Sequence, residues 1–72
     1  MQKETLKERA YRGIYEAVTN GEYRPNDILT ESQMIEKFGV SKSPVREALV
    51  ELCKDGVLIN IPRMGYQVRA VT

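Results

Sequence analysis

The turn and helix start at residues 39–49, which read GVSKSPVREAL, restrict the possible folds more than any other part of this sequence. Gly39 can adopt the left-handed conformation that ends a preceding helix. Pro44 suits the first turn of a following helix, where its missing N–H would have had no helical partner. The segment therefore predicts two helices joined by a tight turn, with Val40 as the apolar plug of that turn.

The helix after this turn has one apolar face and one polar face. On a helical wheel the apolar stripe consists of Val45, Ala48, Leu49 and Leu52, with Cys53 at its edge. The remaining arc carries Lys42, Ser43, Arg46, Glu47 and Val50. Ser41 or Ser43 is expected to cap this helix. We predict that it covers about residues 43–55 and that Gly56 ends it.

Another amphipathic helix is predicted near the start of the chain. Apolar residues recur every three or four positions over about residues 5–20, and Gly21 follows where a helix would end. Residues 21–27 are rich in turn formers, and residues 28–29 are too few for more than a short strand. This connector is therefore expected to add one edge to a small sheet.

The helix before the Gly39 turn has a clear start signal. Thr30 and Gln33 have the spacing of a capping box, in which the hydroxyl and the amide each satisfy a backbone N–H. The two helices and their turn give a helix-turn-helix over about residues 31–50.

The pattern becomes β-like after Gly56. Residues 57–61 and 66–71 are two strand candidates joined by a Pro-Arg-Met-Gly loop at 62–65. In the second strand Tyr66, Val68 and Ala70 share one face. The predicted fold is mainly α with a small antiparallel sheet: three helices, a short strand and a two-stranded hairpin.

Composition excludes several classes of protein. Seventy-two residues suit a single small domain over residues 1–72. The sequence has no His, a single Cys and no Gly-rich phosphate loop, so we expect no enzyme, metal site or cofactor. Cys53 is expected to be a buried structural thiol. Without a membrane-length apolar run or a signal peptide, a cytoplasmic location is expected.

The positive charge is unevenly distributed. Residues 1–40 hold six Lys or Arg against seven Asp or Glu, a net −1, whereas residues 41–72 hold five against three, a net +2. Lys42 and Arg46 form a two-cation ridge that could reach guanine O6 and N7 in a major groove. Taken alone, such cations beside Glu47 are more often a solvated helix face. Their early position after a helix and a tight turn favours DNA binding.

The helix start and the hairpin loop provide candidate backbone contacts. Ser41 and Ser43, with free N–H groups at the helix start, can bind phosphate. Arg63 can neutralise phosphate, and Gly65 can allow close approach, as at the tip of a wing over about residues 57–71. Such a loop could also be a simple link between two strands.

These residues together resemble the N-terminal winged-helix domain of the GntR family of bacterial transcription regulators. The resemblance rests on Leu29-Thr30-Glu31, on the run from Phe38 to Leu49, and on Leu52, Gly56-Val57-Leu58, Gly65-Tyr66 and Val68. It implies a repressor or activator that binds a palindromic operator as a homodimer. It implies base contacts from Arg46 and Lys42, with Ser43 beside them. The expected backbone or wing contacts are Thr30, Ser32, Ser41, Pro44, Arg63, Gly65 and Tyr66.

Two positions depart from the family pattern. Some members use an arginine where this chain has Ser32, and Lys42 replaces a more frequent arginine, giving a point charge instead of a fork. The chain also ends after the wing, so we expect an excised DNA-binding domain or an unusually short relative. The C-terminal domain that binds a small-molecule effector and mediates dimerisation would then be absent. We expect weak, salt-dependent binding by a monomer or weak dimer, near 10⁻⁴–10⁻⁶ M in order of magnitude.

An alternative function remains open from the sequence. A winged helix can also be a protein–protein interaction module, with its third helix docked against a partner. The near-neutral net charge of +1 favours this alternative slightly.

Overall fold

Three helices and a three-stranded sheet make up the fold, in the predicted order. The computed structural model describes residues 4–69. The elements are α1 (Leu6–Thr19), β1 (Ile28–Leu29), α2 (Glu31–Phe38), α3 (Lys42–Lys54), β2 (Leu58–Ile61) and β3 (Gly65–Val68). This arrangement confirms the predicted winged helix-turn-helix class.

Local signals account for most helix ends. Thr5 and Glu8 form a capping box at α1, and Thr30 and Gln33 form the predicted one at α2. Gly39 ends α2 in the left-handed conformation, with φ of 67°. The third helix begins at Lys42, one residue before the predicted start, because Ser41 rather than Ser43 occupies the N-cap position.

The core lies between the helices and the inner face of the sheet. Its largest fully buried side chains are Ile14, Leu29, Met34, Val45, Leu49, Leu52 and Leu58. The predicted stripe of α3 is buried, and Val40 is buried within the turn. Cys53 differs from the prediction: it is only half-buried and packs at the edge of the core. Its position at the edge of the stripe explains this, since that side of α3 faces outwards.

The α1–α2 contact depends on a glycine. A Cβ on Gly13 would lie 2.5 Å from Cε1 of Phe38, so the absence of a side chain lets the aromatic ring pack directly against the α1 backbone. None of the helices within residues 4–69 is long and apolar enough to cross a membrane.

The sheet is antiparallel, with the order β1-β3-β2. Leu29 and Asn60 both pair with Tyr66 from opposite sides, which places the wing hairpin against the short strand before α2. The hairpin strands begin at Leu58 and Gly65, each within one residue of prediction. Tyr66 and Val68 share a buried face. Ala70, predicted to share that face, lies outside the described residues, as does the rest of the predicted strand beyond 69.

Candidate nucleic-acid interface

The polar side of the α3 start faces solvent. Lys42, Ser43 and Arg46 are all exposed, as predicted. Val45, between them in sequence, is completely buried, as is Ala48 one turn further on. The apolar stripe thus holds the helix against the core and directs the two cations and the hydroxyl outwards.

The N-cap of α3 is open. The Ser41 hydroxyl makes no capping hydrogen bond. In a capping box that hydroxyl accepts from the third helical residue, and here this residue is Pro44, which has no N–H. The first N–H groups of a helix also lack helical carbonyl partners. The Ser41 hydroxyl and the N–H groups of Lys42 and Ser43 are therefore available to an external acceptor such as a phosphate.

Arg46 is associated with an acidic side chain of α2. Its Nε lies 3.9 Å from Oε2 of Glu31, which is longer than a hydrogen bond but close enough for charge attraction. The Arg46 side chain is 66% exposed and that of Glu31 only 26%. Within residues 4–69, Lys42 and Arg63 have no comparable ion pair.

A groove separates the start of α2 from the wing. It has a volume of about 300 Å³, and its lining includes five predicted backbone contacts: Thr30, Ser32, Arg63, Gly65 and Tyr66. Ser41 and Pro44 do not line this groove and lie instead at the start of α3. The structure therefore divides the predicted backbone contacts between two places.

The hydroxyl groups in the groove have different roles. The Thr30 oxygen accepts from the backbone N–H of Gln33 at 3.1 Å, so this group is already used as a cap. Tyr66 is buried, with only 7% of the residue exposed. Burial, and then the negative charge of Glu31, raise the pKa of the Tyr66 hydroxyl, so it stays protonated and able to donate at neutral pH.

The wing loop has an unusual backbone conformation. Arg63 has a φ of 70°, in the left-handed region, and the Met64 N–H donates to the Ile61 carbonyl at 3.1 Å. Gly65 has a φ of 131°, and a Cβ there would lie 2.5 Å from the Leu29 carbonyl oxygen. Contact with β1 therefore accounts for the glycine within the fold itself. Its predicted approach to DNA stays a prediction.

Two residues of this region were not predicted from the sequence. Glu31 was not among the predicted contacts, whereas it pairs with Arg46 and lines the groove. Asn60 also lines the groove, opposite Tyr66 in the sheet. Strand alternation could have found Asn60, because it shares a face with the buried Leu58 two residues before it.

Comparison with known proteins identifies the family. Residues 6–68 match the family described as bacterial regulatory proteins, gntR family. The chain belongs to the GntR family. One relative is YdhC of Bacillus subtilis strain 168, an uncharacterised helix-turn-helix transcriptional regulator, with 37% identity over 62 residues. That match covers 86% of this chain and 28% of YdhC, so the chain spans less than a third of this relative's length.

Solved structures agree with the family assignment. Lar, which controls the expression of the Listeria monocytogenes agr system, is similar with a TM-score of 0.86 and 31% identity, over 97% of this chain and 33% of Lar. The DNA-binding domain of AraR in complex with operator ORE1 gives a TM-score of 0.82 and 24% identity, over 94% of this chain and 88% of that domain. The chain is a GntR DNA-binding domain with the winged-helix fold.

Proposed function

We propose that this GntR domain binds operator DNA with α3 in the major groove. Arg46 and Lys42 would donate to base edges, with Ser43 beside them. The observation that carries the proposal is the exposure of these three side chains on a helix whose opposite face is buried. A recognition helix needs this combination, because its first turns reach the bases while the core holds it still.

The two groups of polar residues would bind the DNA backbone on either side of α3. The open N-cap at Ser41 and Pro44 supports a phosphate contact, since its hydroxyl and N–H groups have no helical partners. The groove supports a second contact, with Ser32, Arg63 and Tyr66 as donors and Thr30 and Gly65 shaping its wall. Backbone contacts of this kind set the orientation of the protein, and the base contacts then provide specificity.

The proposal extends to the complete regulator. A homodimer would present two copies of this domain to a palindromic operator, because half-site symmetry follows protein symmetry. A small-molecule effector would act through a C-terminal domain. The DNA-binding domain of AraR, which has the same fold and is bound to an operator in its solved structure, supports DNA as the partner. We propose a role in the cytoplasm that consists of binding rather than catalysis.

Salt dependence tests DNA binding directly. The chain is titrated against a random duplex at several salt concentrations, and we expect affinity to fall steeply with salt because phosphate contacts release counterions. Arg24→Ala, which removes an exposed arginine before β1, is the control and should leave the salt slope nearly unchanged. Undetectable binding even at low salt would contradict the proposal and favour the protein–protein interaction module.

A second experiment separates base reading from backbone contact. An operator sequence is first selected from a random duplex pool with the wild-type chain. Arg46→Ala should then relax base preference, with a loss of about 1–3 kcal/mol on the operator. Arg63→Ala should weaken operator and random duplex alike and reduce the salt slope by about one. Equal effects of both changes on both duplexes would overturn this division of roles.

A further inference from the structure

We propose that Glu31 determines base specificity by holding the guanidinium of Arg46 in its base-reading orientation. This inference rests on the proposed function and deepens it. Glu31 would be a positioning residue that acts through Arg46 and does not itself contact a base.

The geometry makes Glu31 the fixed member of the pair. It is the first residue of α2, directly after Thr30, whose side chain and backbone are held in the capping box with Gln33. Its side chain is also the less exposed of the two, 26% against 66% for Arg46. A long, exposed arginine has many rotamers, and a fixed carboxylate nearby reduces the number that it populates.

The contact leaves the two terminal nitrogens of the Arg46 guanidinium free. The closest approach to Glu31 is through Nε, at 3.9 Å. The two terminal nitrogens can therefore still form the bidentate contact with guanine O6 and N7. An arginine attracted to Glu31 on one side is also less able to swing towards a phosphate, which carries no sequence information.

Stability alone does not explain a carboxylate at this position. The capping box of α2 is completed by Gln33, and an exposed ion pair adds little to stability. A negative charge in the first turn interacts favourably with the helix dipole, but that interaction requires no partner on α3. In a groove lined by candidate phosphate donors, the carboxylate lowers affinity for every duplex. Weaker non-specific binding, combined with an oriented Arg46, increases selectivity.

Tyr66 supports the existence of one charged cluster at this junction. The pKa of its hydroxyl is raised by burial and by Glu31, and the positive charge of Arg46 acts in the opposite direction. Glu31 and Tyr66 line the same groove, and Arg46 lies 3.9 Å from Glu31, so the three side chains meet where α2, α3 and β3 come together. Arg46 therefore belongs to α3 and also lies next to Glu31 at the edge of the groove.

The test is Glu31→Gln, with Glu36→Gln as the matched control. Glu36 is an exposed glutamate of the same helix, without an ion pair among residues 4–69. Affinities for the selected operator and for random duplex are measured by competition at several salt concentrations. We expect E31Q to lower the operator-to-random ratio about tenfold, with random-duplex affinity increased because one negative charge is lost. E36Q should leave the ratio unchanged.

A double-mutant cycle identifies the route of the effect. In the Arg46→Ala background, E31Q should cause no further loss of the ratio, because the residue it positions is gone. Glu31→Asp should retain part of the wild-type ratio, and thermal unfolding should show that all variants fold. An unchanged ratio in E31Q, or an equal loss in the Arg46→Ala background, would overturn the proposal. Wild-type binding in the same titrations tests the proposed function separately.

Discussion

The starts of α2 and α3 share the same four-residue spacing but differ in what occupies its last position. At α2, Thr30 and Gln33 satisfy each other's backbone N–H groups. At α3, Ser41 is followed at the same distance by Pro44, and no cap hydrogen bond forms. The comparison indicates that an N-cap hydroxyl completes a capping box only when the third helical residue has an N–H to donate.

The uncapped start of α3 lies on the candidate DNA surface, and this helix is stabilised by packing against the core. Four side chains of α3, those of Val45, Ala48, Leu49 and Leu52, are completely buried. Burial of such side chains contributes on the order of 1.5–3 kcal/mol each for the larger ones, more than a typical cap of about 1 kcal/mol. Packing can therefore hold α3 in place while its first turn keeps unsatisfied polar groups for a ligand.

The largest expected difference between the two starts concerns stability. Thr30→Ala should lower the free energy of unfolding by about 1 kcal/mol, because it leaves the Gln33 N–H without its acceptor. Ser41→Ala should change it by only a few tenths, since the hydroxyl has no partner to lose. Urea denaturation of the two variants and wild type measures both values. A similar cost for the two substitutions would show that the α3 start is capped in solution.

A second prediction tests whether Pro44 causes the difference. Pro44→Gln places a glutamine at the third helical residue of α3, as in the capping box of α2, and restores the missing N–H. In that background, Ser41→Ala should cost roughly 0.5–1 kcal/mol, although it costs almost nothing in wild type. The four proteins form a double-mutant cycle, so the entropic effect of losing a proline cancels. A coupling energy near zero would exclude Pro44 as the reason.

The third prediction connects the open start to DNA. Ser41→Ala should weaken random-duplex binding about threefold to fivefold, the equivalent of one hydrogen bond of roughly 0.6–1 kcal/mol. Pro44→Gln should weaken it to a similar extent, because the hydroxyl would then be used within the helix. Fluorescence anisotropy at low salt gives the affinities, with Thr19→Ala, at the far end of α1, as the control. Wild-type affinity in both variants would argue against a phosphate at this helix start.

The smallest predicted effect is a pH dependence of stability that distinguishes the two helices with a complete capping box, α1 and α2. Hydrogen bonds from the backbone and side chain of Thr5 lower the pKa of Glu8 at the start of α1. A lowered folded-state pKa stabilises above the unfolded value of 4.5, and this contribution is lost as pH falls through the folded pKa. The contribution of the α2 capping box to stability should not depend on pH in this range, because Gln33 is neutral. NMR titration should show the Glu8 pKa returning towards its ordinary value in Thr5→Ala.

Local signals explain which parts of the fold were predictable. The bounds of α2 follow from Thr30 at one end and Gly39 at the other, each acting on its immediate neighbours. The buried stripe of α3 follows from helical periodicity. The start of α3 was wrong by one residue because two serines compete for the cap, and neither shows by itself where the first helical turn begins.

Contacts between distant residues were not predictable in the same way. Glu31 meets Arg46 only because α2 and α3 cross at this point. Gly65 was interpreted through DNA, whereas the Leu29 carbonyl already requires a residue without a side chain. Cys53 was expected to be buried, and only the packing around α3 shows that its side of the helix is partly open.

The sequence by itself determined the helices, the turn, the strands and the exposed cations of α3, because caps, glycines and periodicity act over a few residues. The tertiary structure alone decided that β3 lies in the centre of the sheet, between β1 and β2. That pairing brings the wing beside the start of α2, forms the groove and places Asn60 within it. Such juxtapositions depend on which hydrophobic faces bury one another, and no short segment carries that information.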